Sequence, residues 1–297
     1  MGSNPTLSAI SCIGGITEIN KNRIKVGLAL GSGAARGIAH IGVIKALREA
    51  QVPVDYIAGT SMGSLVGACY AADAQISLLE EIALTTNLRK FTQLLDPTFA
   101  FFKLGMLQGG RVEKFIKTII GDIDISQCVI PYSAVAADIR TGEEIVINTG
   151  PLIRAVRASI SIPGIFVPVY IDGQYLVDGG TINPVPADVV RAMGANFIIA
   201  VNVLNDPRKR KRLGLTGDKK SNKMPSTFNT IIQAIYIMEY GIVRANLLKA
   251  DILIEPDVSG IEPYEFYRGG EAIEAGYRAA SEVVPEIEKL LNSFEPE

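Results

Sequence analysis

The sequence predicts a three-layer α/β/α fold around a mainly parallel central sheet, on three observations. Short apolar strands alternate with helical stretches through much of the 297 residues. The run Asn196–Leu204 (N-F-I-I-A-V-N-V-L) is almost continuously apolar, as a strand covered on both faces must be. Two strand-to-helix turns, after Leu30 and after Ala58, are built from glycine and other small residues, which let backbone segments approach closely.

Bulk properties narrow the class. The chain is 48% hydrophobic with a mean hydropathy of +0.26, enough for a sizeable core without staples. A net charge of -2 argues against nucleic acid as a partner. Cys12, Cys69 and Cys128 are odd in number and widely spaced, so they fit no disulfide framework or zinc pattern. They point to a reducing compartment, and the expected location is cytoplasmic, peripheral at a membrane. The uncharged run Tyr56–Ala72 is too short for a membrane span and is interrupted by Gly59, Thr60, Ser61, Gly63 and Ser64.

Residues 1–22 read as a flexible leader. No basic residue precedes Lys21, which makes a poor secretory signal. Met1-Gly2 with Thr6 formally fits a myristoylation pattern, and Ala9–Cys12 is a loose lipobox-like string. With no internal repeat and no linker between two cores, residues 23–297 are expected to form one domain.

Taken in order, Ile24–Leu30 reads as a strand and Ile38–Ala50 as a helix, from apolar residues at helical spacing. Tyr56–Ala58 is a short strand, followed by a buried helix of small residues. Ile76–Leu95 is a charged amphipathic helix stopped by Asp96-Pro97. Phe99–Leu107 is an apolar patch without clear period. Arg111–Ile120 reads as helical. Tyr132–Ile139 and Glu144–Asn148 read as strands turning at Arg140-Thr141-Gly142, and Pro151–Ser159 as a helix with proline in its first turn. Val167–Val177 is a hairpin turning at Asp172-Gly173. Pro186–Met193 is a helix closed by Gly194. Residues 205–225, with Arg208 to Arg212, Lys219, Lys220 and Lys223, read as a basic surface loop. Ser226–Ala250 is a long amphipathic helix, Ile252–Glu255 a strand, and Glu271–Leu291 a terminal helix.

Three stretches carry candidate chemistry. Gly59-Thr60-Ser61-Met62-Gly63 matches G-x-S-x-G, the pattern that holds a serine hydroxyl exposed on a sharp strand-to-helix turn. Such a nucleophile needs a base and an anion hole. The single histidine, His40, precedes Ser61 and sits just inside the first helix, so it reads as a structural residue beneath the site. The base is then a carboxylate. Asp178, after an apolar hairpin strand and before Gly179-Gly180, is the best placed, although Asp-Gly-Gly also fits a plain turn. Burial would raise its proton affinity and suit it to the task. The loop Gly31-Ser32-Gly33-Ala34-Ala35-Arg36-Gly37 joins strand to helix, so its amides favour an anion, either a phosphate or an ester oxyanion. The dinucleotide fingerprint fails at Arg36, because Gly37 falls one place late, and no G-K-[ST] follows.

These motifs, in this order, resemble the patatin-like phospholipase family, and most closely its bacterial branch related to the neuropathy target esterase catalytic domain. The strings G-A-A-R-G-I-A-H-I-G-V-I-K-A-L and Ser159–Pro168 share the likeness, which covers about Ile24 to Asn202. The resemblance implies a patatin-like fold and a serine esterase cleaving lipid acyl esters of phospholipid or lysophospholipid type. It needs neither metal nor other cofactor. It also implies roles: Ser61 as nucleophile, Asp178 as base, Gly31–Gly37 as the oxyanion loop, and Gly59, Gly63, Gly179 and Gly180 in support. Gly33, Ala34 and Ala35 are the amides expected at the anion. Ser32 and Ala34 depart from the glycines common in the family. The rival expectations are a nucleotide-binding oxidoreductase using Gly31–Gly37 and a catalytically inactive membrane adaptor. Peripheral membrane contact is expected through Phe99–Leu107 and Arg208–Lys223.

Overall fold

A computed structural model describes residues 24–73, 76–85, 109–204, 227–246 and 250–293. The expectations for residues 1–22, for the end of the helix read over 76–95, for Phe99–Leu107 and for 205–225 lie outside the described residues.

The strands are β1 (Val26–Leu30), β2 (Tyr56–Thr60), β3 (Tyr132–Asp138), β4 (Glu144–Ile147), β5 (Val169–Ile171), β6 (Gln174–Asp178), β7 (Phe197–Val201) and β8 (Ile252–Ile254). The helices are α1 (Ala39–Glu49), α2 (Met62–Ala71), α3 (Ile76–Thr85), α4 (Gly110–Ile120), α5 (Leu152–Ser159), α6 (Ala187–Ala192), α7 (Thr227–Asn246) and α8 (Gly269–Ser293). Two small departures from the sequence reading concern ends. Ala34–Ile38 forms a 3-10 turn before α1, and Pro151 stands as the N-cap of α5 rather than inside its first turn.

The sheet runs β5-β6-β3-β2-β1-β7-β8, with β4 also paired to β3. Its five-strand core, β3-β2-β1-β7-β8, is parallel. The hairpin strand β6 joins it antiparallel to β3. Alternate residues along each central strand face opposite layers, as a pleat of period two requires. Leu28, Leu30, Ile57 and Ile199 pack with α1, α2 and α8, through Ile44, Val66 and Ile273 among others. Ala29, Ala58, Ile198 and Ala200 pack with Val189 and Val190 of α6 and with Val243 of α7. The small residues on this second face let α6 lie close to the sheet.

Helix α1 meets α8 backbone to backbone. A Cβ on Gly42 would overlap the Ile273 carbonyl, and one on Gly276 would overlap that of Ala39. No helix among the described residues is long and apolar enough to cross a membrane.

Candidate active site

Parallel pairing of β1 and β2 puts the ends of both strands at one edge of the sheet, where open α/β sheets bind ligands. Ser61 alone separates β2 from α2. Its φ of 55° and ψ of -123° lie where side-chain-bearing residues are seldom found. Close approach enforces the turn: a Cβ on Gly63 would collide with the Leu30 and Gly31 carbonyls, and one on Gly59 with the Gly63 carbonyl. The Ser61 amide donates to Ser159 Oγ at 3.0 Å, and Ser159 Oγ donates to the Val135 carbonyl at 2.6 Å. The Ser61 carbonyl accepts from Ser64 Oγ at 2.8 Å. Backbone anchored on both sides, the hydroxyl is left to point at one partner.

That partner is Asp178. Thr60 pairs with Val135 on β3, and the next β3 residue, Ala136, pairs with Asp178 on β6. The register therefore sets Ser61 and Asp178 on either side of β3, although 117 residues separate them in sequence. Ser61 Oγ donates to Asp178 Oδ2 at 2.6 Å, and Oδ1 accepts from the Gly180 amide at 2.8 Å. A Cβ on Gly179 would collide with the Val135 carbonyl, which is why the chain leaves β6 through glycine. Burial raises the Asp178 carboxyl to about 7, and the two hydrogen bonds only partly offset it.

The loop after β1 uses most of its own amides. Gly31 N–H donates to the Val201 carbonyl, Ser32 to Pro184, Ala35 to Pro263 and Arg36 to Gly33. This corrects one expectation, since the Ala35 amide is spent on Pro263. Among the described residues, the amides of Gly33 and Ala34 have no protein acceptor, and both residues line a pocket shared with Ser61 and Asp178. Ala34 takes a φ of 48°, in the left-handed region that residues with side chains seldom adopt. Arg36 does not face the pocket mouth as a free cation; it is buried, with Nε donating to the Ile261 carbonyl at 2.7 Å.

His40 is fully buried, and its Nε2 lies 2.7 Å from the Gly31 carbonyl, a geometry that calls for an Nε2–H donor. Its Nδ1 is buried without a partner among the described residues. Burial holds the ring neutral, with its proton affinity down at about 4. The histidine thus pins the loop after β1 from below, and its hydrogen bond goes to Gly31 rather than to Ser61 or Asp178. His40→Ala is expected to keep most ester turnover while lowering the melting temperature, by about 2–4 kcal/mol of stability for a lost buried bond and the space left behind. Turnover and thermal unfolding of the purified variant check this.

The pocket's far wall comes from α7. Ile232, Ile235, Tyr236 and Glu239 recur at helical spacing and face inward. The sequence reading found this helix but missed Glu239, one acid in an amphipathic pattern where such acids usually face water. No group of three or more His, Cys, Asp or Glu side chains among the described residues could hold a metal ion.

Residues 28–191 match the family described as patatin-like phospholipase. The chain belongs to that family. An uncharacterized NTE family protein of Mycobacterium tuberculosis is 41% identical over 179 residues, which are 60% of this chain and 49% of that protein. Neuropathy target esterase sws of Drosophila melanogaster is 39% identical over 183 residues, 60% of this chain and 13% of that protein. The patatin-like chain therefore spans about half, or far less, of the curated relatives it matches. The crystal structure of VipD from Legionella pneumophila superposes with a TM-score of 0.50 over 89% of this chain and 67% of VipD, at 13% identity, a likeness of fold alone. The family match runs from within β1 through most of α6, and so covers both Ser61 and Asp178; α7 and α8 lie beyond it.

Proposed function

We propose that this patatin-like chain is a serine lipid acyl hydrolase of phospholipase A or lysophospholipase type, in which residues 23–297 act as one catalytic domain. The observation that carries the reading is the 2.6 Å hydrogen bond from Ser61 Oγ to Asp178 Oδ2 on a strained turn beside two open amides. Asp178 takes the proton as Ser61 Oγ attacks the ester carbonyl carbon, and the carbonyl oxygen becomes an oxyanion held by the Gly33 and Ala34 N–H groups. The tetrahedral intermediate collapses, the C–O bond to the alcohol breaks, and Asp178 returns the proton to the departing oxygen. Asp178 then deprotonates a water whose oxygen adds to the acyl carbon; the bond from that carbon to Ser61 Oγ breaks, Asp178 returns the proton to Oγ, and the fatty acid leaves. The apolar wall of Ile162, Ile232 and Ile235 suits an acyl chain rather than a polar headgroup. No cofactor takes part in these steps.

Contact with a membrane surface is part of the proposal. Ile237 and Met238, each more than half exposed on the outer side of α7, support it.

A fluorophosphonate tests the reading. Phosphonylation of the Ser61 peptide in the wild type, with parallel loss of lipid ester hydrolysis, is expected. A folded protein that takes no label at Ser61 and hydrolyses no ester in a phospholipid and lysophospholipid panel would sink the reading.

A further inference from the structure

Two carboxyl groups, not one, face the pocket. Glu239 projects inward from α7 and is 4% exposed. Its Oε2 accepts a hydrogen bond from Ser32 Oγ at 2.8 Å, so the helix is tied to the oxyanion loop one residue before the open Gly33 amide. Its Oε1 and the Oδ1 of Asp178 both crowd the point where a Gly180 Cβ would stand, so the two carboxyls converge on one glycine. The titratable and charged groups around it are Asp178 from β6, Arg36 from the turn before α1, and Tyr236 of its own helix. Arg36 stands 6.0 Å over the Tyr236 ring, and its Nε donates to the Ile261 carbonyl.

From this geometry we infer that Glu239 is a positioning residue: it anchors the oxyanion loop through Ser32, and its ionisation beside Asp178 and the oxyanion site shuts turnover down. The inference rests on the hydrolase reading above. Turnover moves negative charge from Asp178 toward the oxygen held by Gly33 and Ala34, beside Ser32. A neutral Glu239 leaves that movement unopposed. An ionised one adds a second buried charge where the oxyanion forms, with little solvent to screen it. Burial, followed by the charge of Asp178, holds the Glu239 proton up to about 8, against weaker pulls from the Ser32 hydroxyl and Arg36. Asp178 loses its own proton near 7, so the pair carries one charge in the working range.

The experiment is the pH profile of kcat on a short-chain nitrophenyl ester for wild type, Glu239→Gln and Ser32→Ala. The wild type is expected to rise through about 7 and fall above about 8. Glu239→Gln keeps an oxygen for Ser32 but has no proton to lose. Its rising limb stays and its falling limb disappears, so the ratio of variant to wild type grows roughly tenfold per pH unit on the alkaline side. Ser32→Ala removes a bond that favours the ionised carboxyl, so its falling limb moves to higher pH, and kcat drops roughly tenfold with KM little changed. A falling limb that Glu239→Gln retains, or that Ser32→Ala leaves in place, overturns the inference.

Thermal unfolding reads the same group without turnover. The folded chain keeps a Glu239 proton that the unfolded chain sheds above its ordinary carboxylate value. Wild-type stability should therefore fall relative to Glu239→Gln as pH rises from about 4.5 to about 8, and the gap should level off beyond. A gap constant with pH counts against the inference. If the folded wild type hydrolyses no ester and takes no fluorophosphonate, the hydrolase reading fails and takes the inference with it. If it turns over ester and the profiles of wild type and Glu239→Gln coincide, the inference alone fails.

Discussion

Asp178→Asn is expected to cut ester turnover on the order of 10⁴-fold or more while making the protein more stable at neutral pH. The amide keeps the shape of the carboxyl but cannot take the Ser61 proton, and the 2.6 Å bond from Ser61 Oγ loses its anionic acceptor. The stability gain follows from linkage. Burial raises the folded carboxyl to about 7, well above its ordinary value of 3.8. Between these values the folded chain holds a proton that the unfolded chain has released. Stability is complete below the unfolded value and falls as pH climbs toward about 7. Asparagine has no such dependence, so the variant should outlast the wild type above about pH 6 by a few kcal/mol. Turnover on a lipid ester and melting across pH measure the two halves. Undiminished turnover would remove Asp178 from the chemistry, and a wild type that melts higher at neutral pH would show that its carboxyl is not buried as an acid.

Gly63→Ala is expected to cost more than about 4 kcal/mol and to leave little soluble protein. The added methyl would sit inside contact distance of the Leu30 and Gly31 carbonyls. Neither can yield, because Leu30 pairs with Gly59 and Val201 in the centre of the sheet, and Gly31 donates to Val201. Relief requires α2 to lift off the end of β1 and to carry Ser61 away from Asp178. Urea unfolding gives the cost, and fluorophosphonate labelling of the soluble fraction gives the displacement. A variant with the wild-type midpoint would show that the two carbonyls do give way.

The chain declared these groups to different degrees. Glycines that must be glycine are visible in a sequence, so the turn at Gly59–Gly63 and the exit from β6 at Gly179 were legible without a structure. The run Phe197–Val201 was equally plain, because a strand buried on both faces has no polar side to disguise it. The pairing of Ser61 with Asp178 was legible only as two motifs; their meeting depends on the register of β6 against β3. Glu239 was hidden because an acid in an amphipathic helix looks the same from the sequence whether it faces water or Ser32. The Ala35 amide was misjudged because its acceptor, the Pro263 carbonyl, is a backbone atom more than two hundred residues away.

The loop after β1 is held in part from outside the stretch of chain that matches the family. Pro263 takes the Ala35 amide and Ile261 takes Arg36 Nε, while α8, through Gly276, presses on the first residue of α1. Two of these supports are carbonyl oxygens, which every amino acid supplies. Relatives could exchange nearly every side chain of that segment and keep the loop in place, provided the backbone path is the same. The price of that freedom is a sharp dependence on length: one residue inserted or deleted between β8 and α8 would shift both oxygens and release the loop.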